Sequence, residues 1–499
     1  MRSAELIESG GQWALSELLM PSFIVHTLGC KLNQLESEAI ADIFIQAGFI
    51  ETIENDTPSF IVINTCTVTS KADQKARRII RKALRDYPDS NVLVTGCYAQ
   101  LDKDELQKLD IRTPPRLFII KKDEILDFID KKFLENISHR GTETRSLINE
   151  KEIKYKNQIT LDDLSASVSP CDKKTIFQFE FNPERFSSHT RSFLKIQDGC
   201  DNKCTYCRTR LARGPSISLD ADEVLSRLRI LEKNHAEAVI TGVNICQYKC
   251  SDFFTTNSNL RFVHEHTKSN LHDLLTYLLN NTEKINIRLS SLDPQNIDEN
   301  LVKVLSHKRI RPHFHLSIQS GSNEILGKMG RNYNEKIAQE AVSMLRSAKG
   351  DPFLACDIIT GFPGETNTEF LQTLDMCKKL DFAWIHVFPF SKRPGTSAFS
   401  FKNNVTESEV SERILLLTDL AWQGRASYIK RWIGRDVDVL IENKQQEKNC
   451  KGISENYLKV LVQAKGNSYP AGTVLRCKLI ESNLQQKYEN FDVKAVIIE

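Results

Sequence analysis

Residues 192–207 read SFLKIQDGCDNKCTYC, a short apolar run that leads through Gly199 into three cysteines. The apolar run predicts a buried β-strand, and Gly199 predicts the turn that ends it. Cys200, Cys204 and Cys207 follow in a C-x3-C-x2-C spacing. Three thiolates so close together can ligate an iron–sulfur cube and leave its fourth iron open to a substrate or cofactor. Zinc is the competing interpretation, although structural zinc usually has four ligands and no second C-x2-C pair lies nearby. A chance group of buried thiols is the third.

The chain on either side of this loop alternates apolar runs with helical stretches. We expect six strands and, between them, helices, which together predict a partial or complete β/α barrel within an α/β fold. The six runs are FLKIQDG (193–199), EAVITGVN (237–244), INIRLSS (285–291), FHLSIQSG (314–321), LACDIITGFPGE (354–365) and WIHVFPF (384–390).

A second strand–helix series precedes the loop, and three of its predicted strands end at a cysteine. These residues are Cys30, Cys66 and Cys97. The alternation predicts a parallel sheet, in which the carboxyl ends of the strands share one edge. We therefore expect the three thiols to lie near one another. The alternative is three buried, inert cysteines, because free cysteine is often buried.

The C-terminal end of the chain has a different pattern. After a long helix to about residue 430, four short apolar runs follow at close spacing, which predicts a small β-barrel. Between the two strand–helix series, residues 140–182 are polar and without periodicity, and we interpret them as a linker or insertion.

Composition narrows the function classes. The chain has 499 residues, with 67 Lys+Arg against 65 Asp+Glu and a net charge of +2, so any nucleic-acid site is a local patch. Thirteen cysteines are too few for a disulfide scaffold of this length. We find neither a membrane-spanning run nor a signal peptide, and expect a soluble, cytoplasmic protein with no membrane partner.

The cysteine loop, with Tyr206 directly before the third cysteine, resembles the radical S-adenosylmethionine enzymes. Segments ITGVN (240–244), RLSS (288–291) and DIITGFPGE (357–365) resemble their cofactor-binding strands. HTLGCKLNQLESE (26–38), INTCTVTSKADQKARR (63–78) and VTGCYAQ (94–100) resemble the cluster-binding loops of the methylthiotransferase family within that superfamily, and the C-terminal segment resembles its RNA-binding TRAM domain.

The resemblance implies two [4Fe–4S] clusters and S-adenosylmethionine as cofactors. Cys200, Cys204 and Cys207 would hold the catalytic cluster, and Cys30, Cys66 and Cys97 the auxiliary one. For S-adenosylmethionine, we expect contacts from Tyr206, Gly242, Asn244, Ser290, Gln319, Arg331 and Gly361.

The resemblance also implies a transferase that modifies tRNA. TLGCKLNQLESE and TGVNICQY are most similar to the branch that methylthiolates C2 of N6-threonylcarbamoyladenosine at position 37, in the anticodon loop, with S-adenosylmethionine as both radical source and methyl donor. The alternatives are the branches acting on N6-isopentenyladenosine-37 or on ribosomal protein S12, and a non-catalytic iron–sulfur RNA-binding protein. The electron donor and the sulfur source are not identified by the sequence.

The same resemblance gives the expected domain boundaries. They are an unmatched extension (1–20), a methylthiotransferase N-terminal domain (21–135), a linker (136–185), a radical S-adenosylmethionine core (186–427) and a TRAM-like domain (428–499).

The predicted helix after Cys66 is rich in Lys and Arg between residues 71 and 85. We expect this helix to contact phosphates, with a solvated helix face as the alternative.

The loop after the third cysteine departs from the family pattern. Arg210 replaces the proline that family members commonly carry there, and Arg208 adds another charge to that loop. We expect these two residues to alter loop geometry or to contact RNA.

Overall fold

The structure, a computed structural model, describes residues 21–52, 57–129, 131, 190–250, 269–402, 404–442, 449–464, 468–483 and 491–498. The predicted extension (1–20) and the whole of the predicted linker (136–185) lie outside these residues. The chain groups into two compact units, one of Met1–Thr67 with Lys71–Arg185 and one of Val68–Ser70 with Phe186–Glu499. Each unit is described by itself.

The first unit contains the predicted parallel sheet. Its strands are ordered β2-β1-β3-β4-β5, and every neighbouring pair is parallel. The central strand β3 is buried at every residue, as expected for a strand with both faces covered. The strands are β1 (Ser22–Thr27), β2 (Ile50–Glu51), β3 (Phe60–Thr65), β4 (Asn91–Gly96) and β5 (Leu117–Ile119). The helices are α1 (Lys31–Gln46), α2 (Ser70–Asp86), α3 (Cys97–Leu101) and α4 (Lys103–Gln107).

The second unit begins with all six predicted barrel strands. Two parallel sheets, β10-β9-β6 and β11-β12-β13, are linked by parallel bridges from Ile287 to Ile310 and from Leu292 to Leu316. The predicted α/β class and β/α barrel are therefore confirmed, in the partial form. The strands are β6 (Ser192–Lys195), β9 (Glu237–Thr241), β10 (Asn286–Leu289), β11 (His313–Gln319), β12 (Phe353–Thr360) and β13 (Trp384–Pro389), with β7 (Gln197–Asp198) and β8 (Ile217–Ser218) forming a short antiparallel pair.

Most helices of this unit begin at a polar residue whose side-chain oxygen accepts a hydrogen bond from the first turn. Such caps satisfy backbone N–H groups that have no partner inside the helix. The capping residues are Asp220, Asn270, Asp298, Ser322, Asn334, Thr366 and Thr406. The helices are α5 (Thr209–Arg213), α6 (Ala221–Glu232), α7 (Leu271–Asn281), α8 (Glu299–Leu305), α9 (Asn323–Lys328), α10 (Glu335–Lys349), α11 (Asn367–Lys379) and α12 (Glu407–Trp432).

The C-terminal strands form a closed barrel in the order β14-β15-β16-β18-β17, which confirms the predicted small β-barrel. Its apolar core is continuous with Phe353 at the start of β12 and with Tyr428 on α12, so the barrel packs on the amino ends of the core strands. None of the helices in the described ranges is long and apolar enough to cross a membrane. The strands are β14 (Asp436–Ile441), β15 (Asn449–Ser454), β16 (Lys459–Gln463), β17 (Val474–Ser482) and β18 (Val493–Ile497).

Candidate functional site

The cysteine loop of the second unit leaves the sheet at Gly199. This residue has a φ of +68°, and a Cβ there would lie 1.8 Å from the carbonyl oxygen of Pro215, so only glycine fits. The Cys200 N–H donates to the Gly214 carbonyl at 3.1 Å, and the Gln197 amide donates to the Gly199 carbonyl at 2.8 Å. The start of the loop, at Cys200, is therefore hydrogen-bonded to its end, at Gly214.

The other side of the loop rests on the end of α9. The Thr205 N–H donates to the Met329 carbonyl at 2.9 Å, and its hydroxyl donates to the Lys328 carbonyl at 2.8 Å. A Cβ at Gly330 would lie 2.9 Å from the Lys203 carbonyl oxygen. These contacts fix the backbone between Cys200 and Cys207 from both sides.

The three thiols are partly buried and lie beside groups of both charges. Burial, with smaller contributions from the other two thiols and Asp293, raises the pKa of Cys200 to about 11. Burial also raises the pKa of Cys204, while the Arg331 guanidinium opposes that shift. A metal binds the thiolate and displaces the proton, so such thiols are compatible with ligation.

Three thiols within eight residues are a donor set that fits an iron–sulfur cube. Within the described ranges, no three His, Cys, Asp or Glu side chains converge on one metal-ion position. Thiolates that ligate a cube bind separate irons, so they need not converge on one point. Two buried polar atoms near this loop, Asp293 Oδ1 and Ser290 Oγ, lack a hydrogen-bond partner in the protein, which leaves acceptors for a bound cofactor.

Asp293 links three segments around the loop, and the sequence analysis did not select it. Its Oδ2 accepts from the Asn202 amide at 3.1 Å and from the Asn244 amide at 3.4 Å, and lies 3.8 Å from Arg331 Nη1. Asp293 and Arg331 are both buried, so each compensates the charge of the other. A polar residue just past the carboxyl end of β10 was the available signal.

Asn244 and Gly242 lie where β9 ends. The Asn244 N–H donates to Gln197 Oε1 at 2.8 Å, and its side-chain oxygen caps the short 3-10 helix Ile245–Gln247. A Cβ at Gly242 would lie 2.8 Å from Gln197 Oε1. Gln197 thus joins the end of β9 to the start of the cysteine loop.

The remaining expected cofactor contacts occupy different parts of the same unit. The ring of Tyr206 meets the ring of Phe362 edge to face, with centroids 6.4 Å apart. Gln319 has a φ of +69° at an irregularity in β11. A Cβ at Gly361 would lie 2.4 Å from a Val410 methyl group, so its glycine is explained by packing against α12. The assignment of these contacts to S-adenosylmethionine remains a prediction.

Glu365, within the quoted segment DIITGFPGE, is a second residue that the sequence analysis did not select. It is buried and accepts from the Gly361 N–H at 2.5 Å and from Arg413 at 2.8 Å. Burial raises the pKa of Glu365 even though these donors act in the other direction. Its contacts hold the loop after β12 against α12.

In the first unit, the three cysteines follow the carboxyl ends of β1, β3 and β4. A Cβ at Gly29, which has a φ of +110°, would lie 2.8 Å from Cys66 Sγ, so the backbone before Cys30 approaches the second thiol closely. Cys97 is the first residue of α3 and follows Gly96, where a Cβ would lie 2.3 Å from the Thr65 carbonyl oxygen. The three loops are therefore neighbours, and their thiols fit the donor set of one cluster.

Asn33 ties these loops together and was missed in the sequence. Its amide donates to the carbonyls of Leu28 at 2.8 Å and Thr65 at 3.0 Å, and Cys30 Sγ lies 3.8 Å from its side-chain oxygen. Asn64 in turn donates to the Asn33 carbonyl at 2.9 Å. No sequence signal distinguishes such a residue from an exposed polar residue on a helix.

The remaining arginines and cysteines near the cysteine loop have contacts within the protein. Arg210 donates to the Asp201 carbonyl at 3.1 Å within the cysteine loop, and Arg208 is buried; neither finding tests RNA contact. Cys246 and Cys250 are also spaced C-x3-C, but they have separate partners. Cys246 accepts from the Asp293 N–H at 3.4 Å, and Cys250 Sγ lies 3.5 Å from an Asp220 oxygen.

Comparison with known proteins agrees with this geometry. The family model of the Radical SAM superfamily matches residues 194–377, and that of Uncharacterized protein family UPF0004 matches residues 22–113. The chain is 36% identical to the Threonylcarbamoyladenosine tRNA methylthiotransferase MtaB of Treponema pallidum (strain Nichols), over 92% of this chain and 98% of that protein.

Two other relatives indicate the branch. The chain is 32% identical to the MtaB protein of Thermotoga maritima, over 88% of this chain and 91% of that one. It is 28% identical to the tRNA-2-methylthio-N(6)-dimethylallyladenosine synthase of Desulfotalea psychrophila, over 84% and 88%. The chain belongs to the MtaB family of radical S-adenosylmethionine methylthiotransferases.

Proposed function

We propose that this enzyme methylthiolates C2 of N6-threonylcarbamoyladenosine at position 37 of tRNA. The observation that carries the proposal is the pair of cysteine triads, Cys30/Cys66/Cys97 and Cys200/Cys204/Cys207, in a chain 36% identical to a protein named for threonylcarbamoyladenosine methylthiolation. As a member of its family, the enzyme uses two [4Fe–4S] clusters and S-adenosylmethionine.

The residues of the chain bind and orient these cofactors. When bound, the clusters and S-adenosylmethionine supply hydrogen-atom abstraction at an unactivated C–H bond and the methylthio group. We assign the holding of the catalytic cluster to Cys200, Cys204 and Cys207. Around it, Arg331 provides a buried positive charge, and Asp293 keeps that charge compensated while its unpaired oxygen can accept from a cofactor N–H or O–H.

The tRNA is bound through the anticodon loop in this proposal. An unpaired base in such a loop can be splayed out and held without breaking a duplex. Six basic side chains on α2 are exposed: Lys71, Lys75, Arg78, Arg81, Lys82 and Arg85. The first five are available for phosphates, whereas Arg85 donates to Asp86 at 2.7 Å, and the less exposed Arg77 donates to Tyr98 and Glu105.

The expected domain boundaries remain part of the proposal, as does action in the cytoplasm, where tRNA is the substrate. The partial barrel and the C-terminal barrel lie in one compact unit and share an apolar core. This supports treating the last 72 residues as a module that packs on the radical S-adenosylmethionine core. We propose that this module binds RNA, as a TRAM domain does.

The experiment is nucleoside mass spectrometry after anaerobic incubation of reconstituted protein with S-adenosylmethionine, a reductant and a sulfur source, in separate reactions with tRNA that carries threonylcarbamoyladenosine and with tRNA that carries isopentenyladenosine. A methylthio adduct on that nucleoside is expected. An adduct only on isopentenyladenosine would assign the enzyme to the second candidate branch, which the 28% identity to the Desulfotalea psychrophila protein favours less. No adduct on either nucleoside would redirect the search to a protein substrate.

Three variants separate the two clusters. Cys204→Ala is expected to abolish formation of 5′-deoxyadenosine, whereas Cys66→Ala is expected to leave it intact and to abolish the methylthio product. Cys250→Ser is the matched control, because this thiol lies in the same unit as Cys204 but bonds to Asp220. If Cys250→Ser lost as much activity as the other two, the loss could not be attributed to the cluster ligands.

A further inference from the structure

Three polar side chains on neighbouring strands of the partial barrel have no part in the function proposed so far. Asp357 on β12 and His386 on β13 are register partners, and His315 lies on β11 beside them. His315 Nε2 and Asp357 Oδ1 are 2.9 Å apart, and the rings of His315 and His386 stack with centroids 5.1 Å apart. We call these residues the His–Asp–His cluster.

The cluster faces the open side of the sheet. The residues before and after Asp357, Cys356 and Ile358, are fully buried, as is Leu316 after His315. Side chains alternate between the two faces of a strand, so the cluster points away from that buried face. His315 and Asp357 are 20% and 22% exposed, and His386 is the most accessible of the three. A ligand can therefore reach all three side chains.

Strand β11 connects the His–Asp–His cluster to the residues expected to contact S-adenosylmethionine. Two positions after His315, the Ser317 carbonyl accepts from Arg331 at 3.1 Å and from the Tyr333 hydroxyl at 2.6 Å. A strand advances about 3.3 Å per residue, so this carbonyl lies about 7 Å along β11 from His315. Arg331 also lies beside Asp293 and Cys204, so β11 carries the His–Asp–His cluster two residues from a backbone group that contacts the predicted S-adenosylmethionine site.

His386 presents a hydrogen-bond donor. The indole N–H of Trp384 donates to His386 Nδ1 at 3.3 Å, so a neutral His386 carries its own hydrogen on Nε2. His315 stacks against the ring and is itself held by Asp357. The cluster thus offers an imidazole donor next to a carboxylate acceptor.

This chemistry matches one of the two candidate adenosine substituents. A threonylcarbamoyl group carries a carboxylate, a hydroxyl and urea N–H groups, which need donors and acceptors side by side. An isopentenyl group is a hydrocarbon and would leave the polar cluster groups without partners. Sites built to hydrogen-bond a substrate discriminate strongly against analogues that lack the bonding group.

We propose that His386, oriented by His315 and Asp357, binds the polar threonylcarbamoyl substituent of the substrate adenosine and determines the choice of substrate. This inference rests on the proposed function. His386 contacts the substrate, whereas His315 and Asp357 act as positioning residues.

The test compares His386→Phe, which keeps a stacking ring but removes the donor, with His386→Gln, whose amide N–H can replace Nε2–H. His307→Gln is the matched control, because His307 is a half-buried histidine of the same unit in the turn after α8. Each protein is assayed with tRNA carrying threonylcarbamoyladenosine and with tRNA carrying isopentenyladenosine. Iron content and 5′-deoxyadenosine formation report whether each variant is folded and loaded.

We expect His386→Phe to raise KM for the threonylcarbamoyl tRNA and to lower kcat/KM about 10- to 100-fold, the loss of one or two hydrogen bonds to a charged group. The kcat/KM for isopentenyl tRNA, iron content and 5′-deoxyadenosine formation should not fall, and His386→Gln should recover part of the loss. An equal fall on both tRNAs, or unchanged discrimination, would overturn the inference. Failure of the proposed function shows differently, as a wild-type protein that never modifies the threonylcarbamoyl tRNA.

Discussion

Glu237 is a buried charge in the second unit with two arginine partners. It is 1% exposed, and its two oxygens accept from Arg288 at 2.7 and 3.0 Å, while Arg311 donates to one of them at 3.0 Å. Arg288 also donates to the Glu455 carbonyl at 3.2 Å and lies over the ring of Tyr457, so this group joins the core strands to the C-terminal barrel. We predict that Glu237→Gln destabilises the unit, because it leaves the buried Arg288 without a counter-charge, whereas Arg311 keeps Glu455 and Asp438 at 3.6 and 3.8 Å.

The size of the effect follows from the pKa of Glu237. Burial alone would raise this pKa, but Arg288, followed by Arg311 and Arg191, lowers it from 4.5 to about 2. At 1.36 kcal/mol per pKa unit, this lowering corresponds to about 3 kcal/mol, in the range found when one partner of a buried pair is removed. The folded-state pKa is the lower one, so this stabilisation is complete above pH 4.5 and disappears as the pH falls toward 2.

The assay is urea denaturation followed by tryptophan fluorescence, since Trp384, Trp422 and Trp432 all belong to this unit. Glu237→Gln should lower the free energy of unfolding by about 3 kcal/mol at pH 7, and the difference from wild type should shrink below about pH 4.5. Glu223→Gln is the control, because its ion pair with Arg227 leaves Glu223 46% exposed and is expected to contribute at most about 1 kcal/mol. A loss below about 1 kcal/mol for Glu237→Gln, or a pH-independent difference, would refute the reasoning.

Two further predictions concern the cofactor sites. Gly29→Ala should lower the iron content of the protein, because the added Cβ would lie 2.4 Å from Cys66 Cβ. Gly48→Ala is the control: its φ is +85° and nothing lies within 4 Å, so it should reduce stability and leave the iron content unchanged. Equal iron content in the two variants would contradict this prediction. Asp293→Asn removes the charge beside Arg331 and should weaken S-adenosylmethionine binding about tenfold in equilibrium dialysis at unchanged iron content, while unaltered affinity would show that the carboxylate is not part of that site.

Local pattern was sufficient for the elements and for the cysteines. Each apolar run between polar helices became a parallel strand, because strand–helix alternation leaves a chain few other ways to bury such runs. The C-x3-C-x2-C loop was recognisable because its three thiols are adjacent in sequence. Cys30, Cys66 and Cys97 were predictable as neighbours because strands of a parallel sheet end at one edge.

The residues that complete each site were not predictable in this way. Asp293, Asn33 and the His–Asp–His cluster are ordinary polar residues in sequence, and only their partners across other strands distinguish them. His315 and His386 lie 71 positions apart in the chain and 5.1 Å apart as rings. The sequence by itself determined the fold class and the family and predicted the cluster ligands, because these depend on local spacing and periodicity. Tertiary structure alone decided which polar groups surround them, because hydrogen bonds between strands depend on register and packing rather than on the residues next to them in the chain.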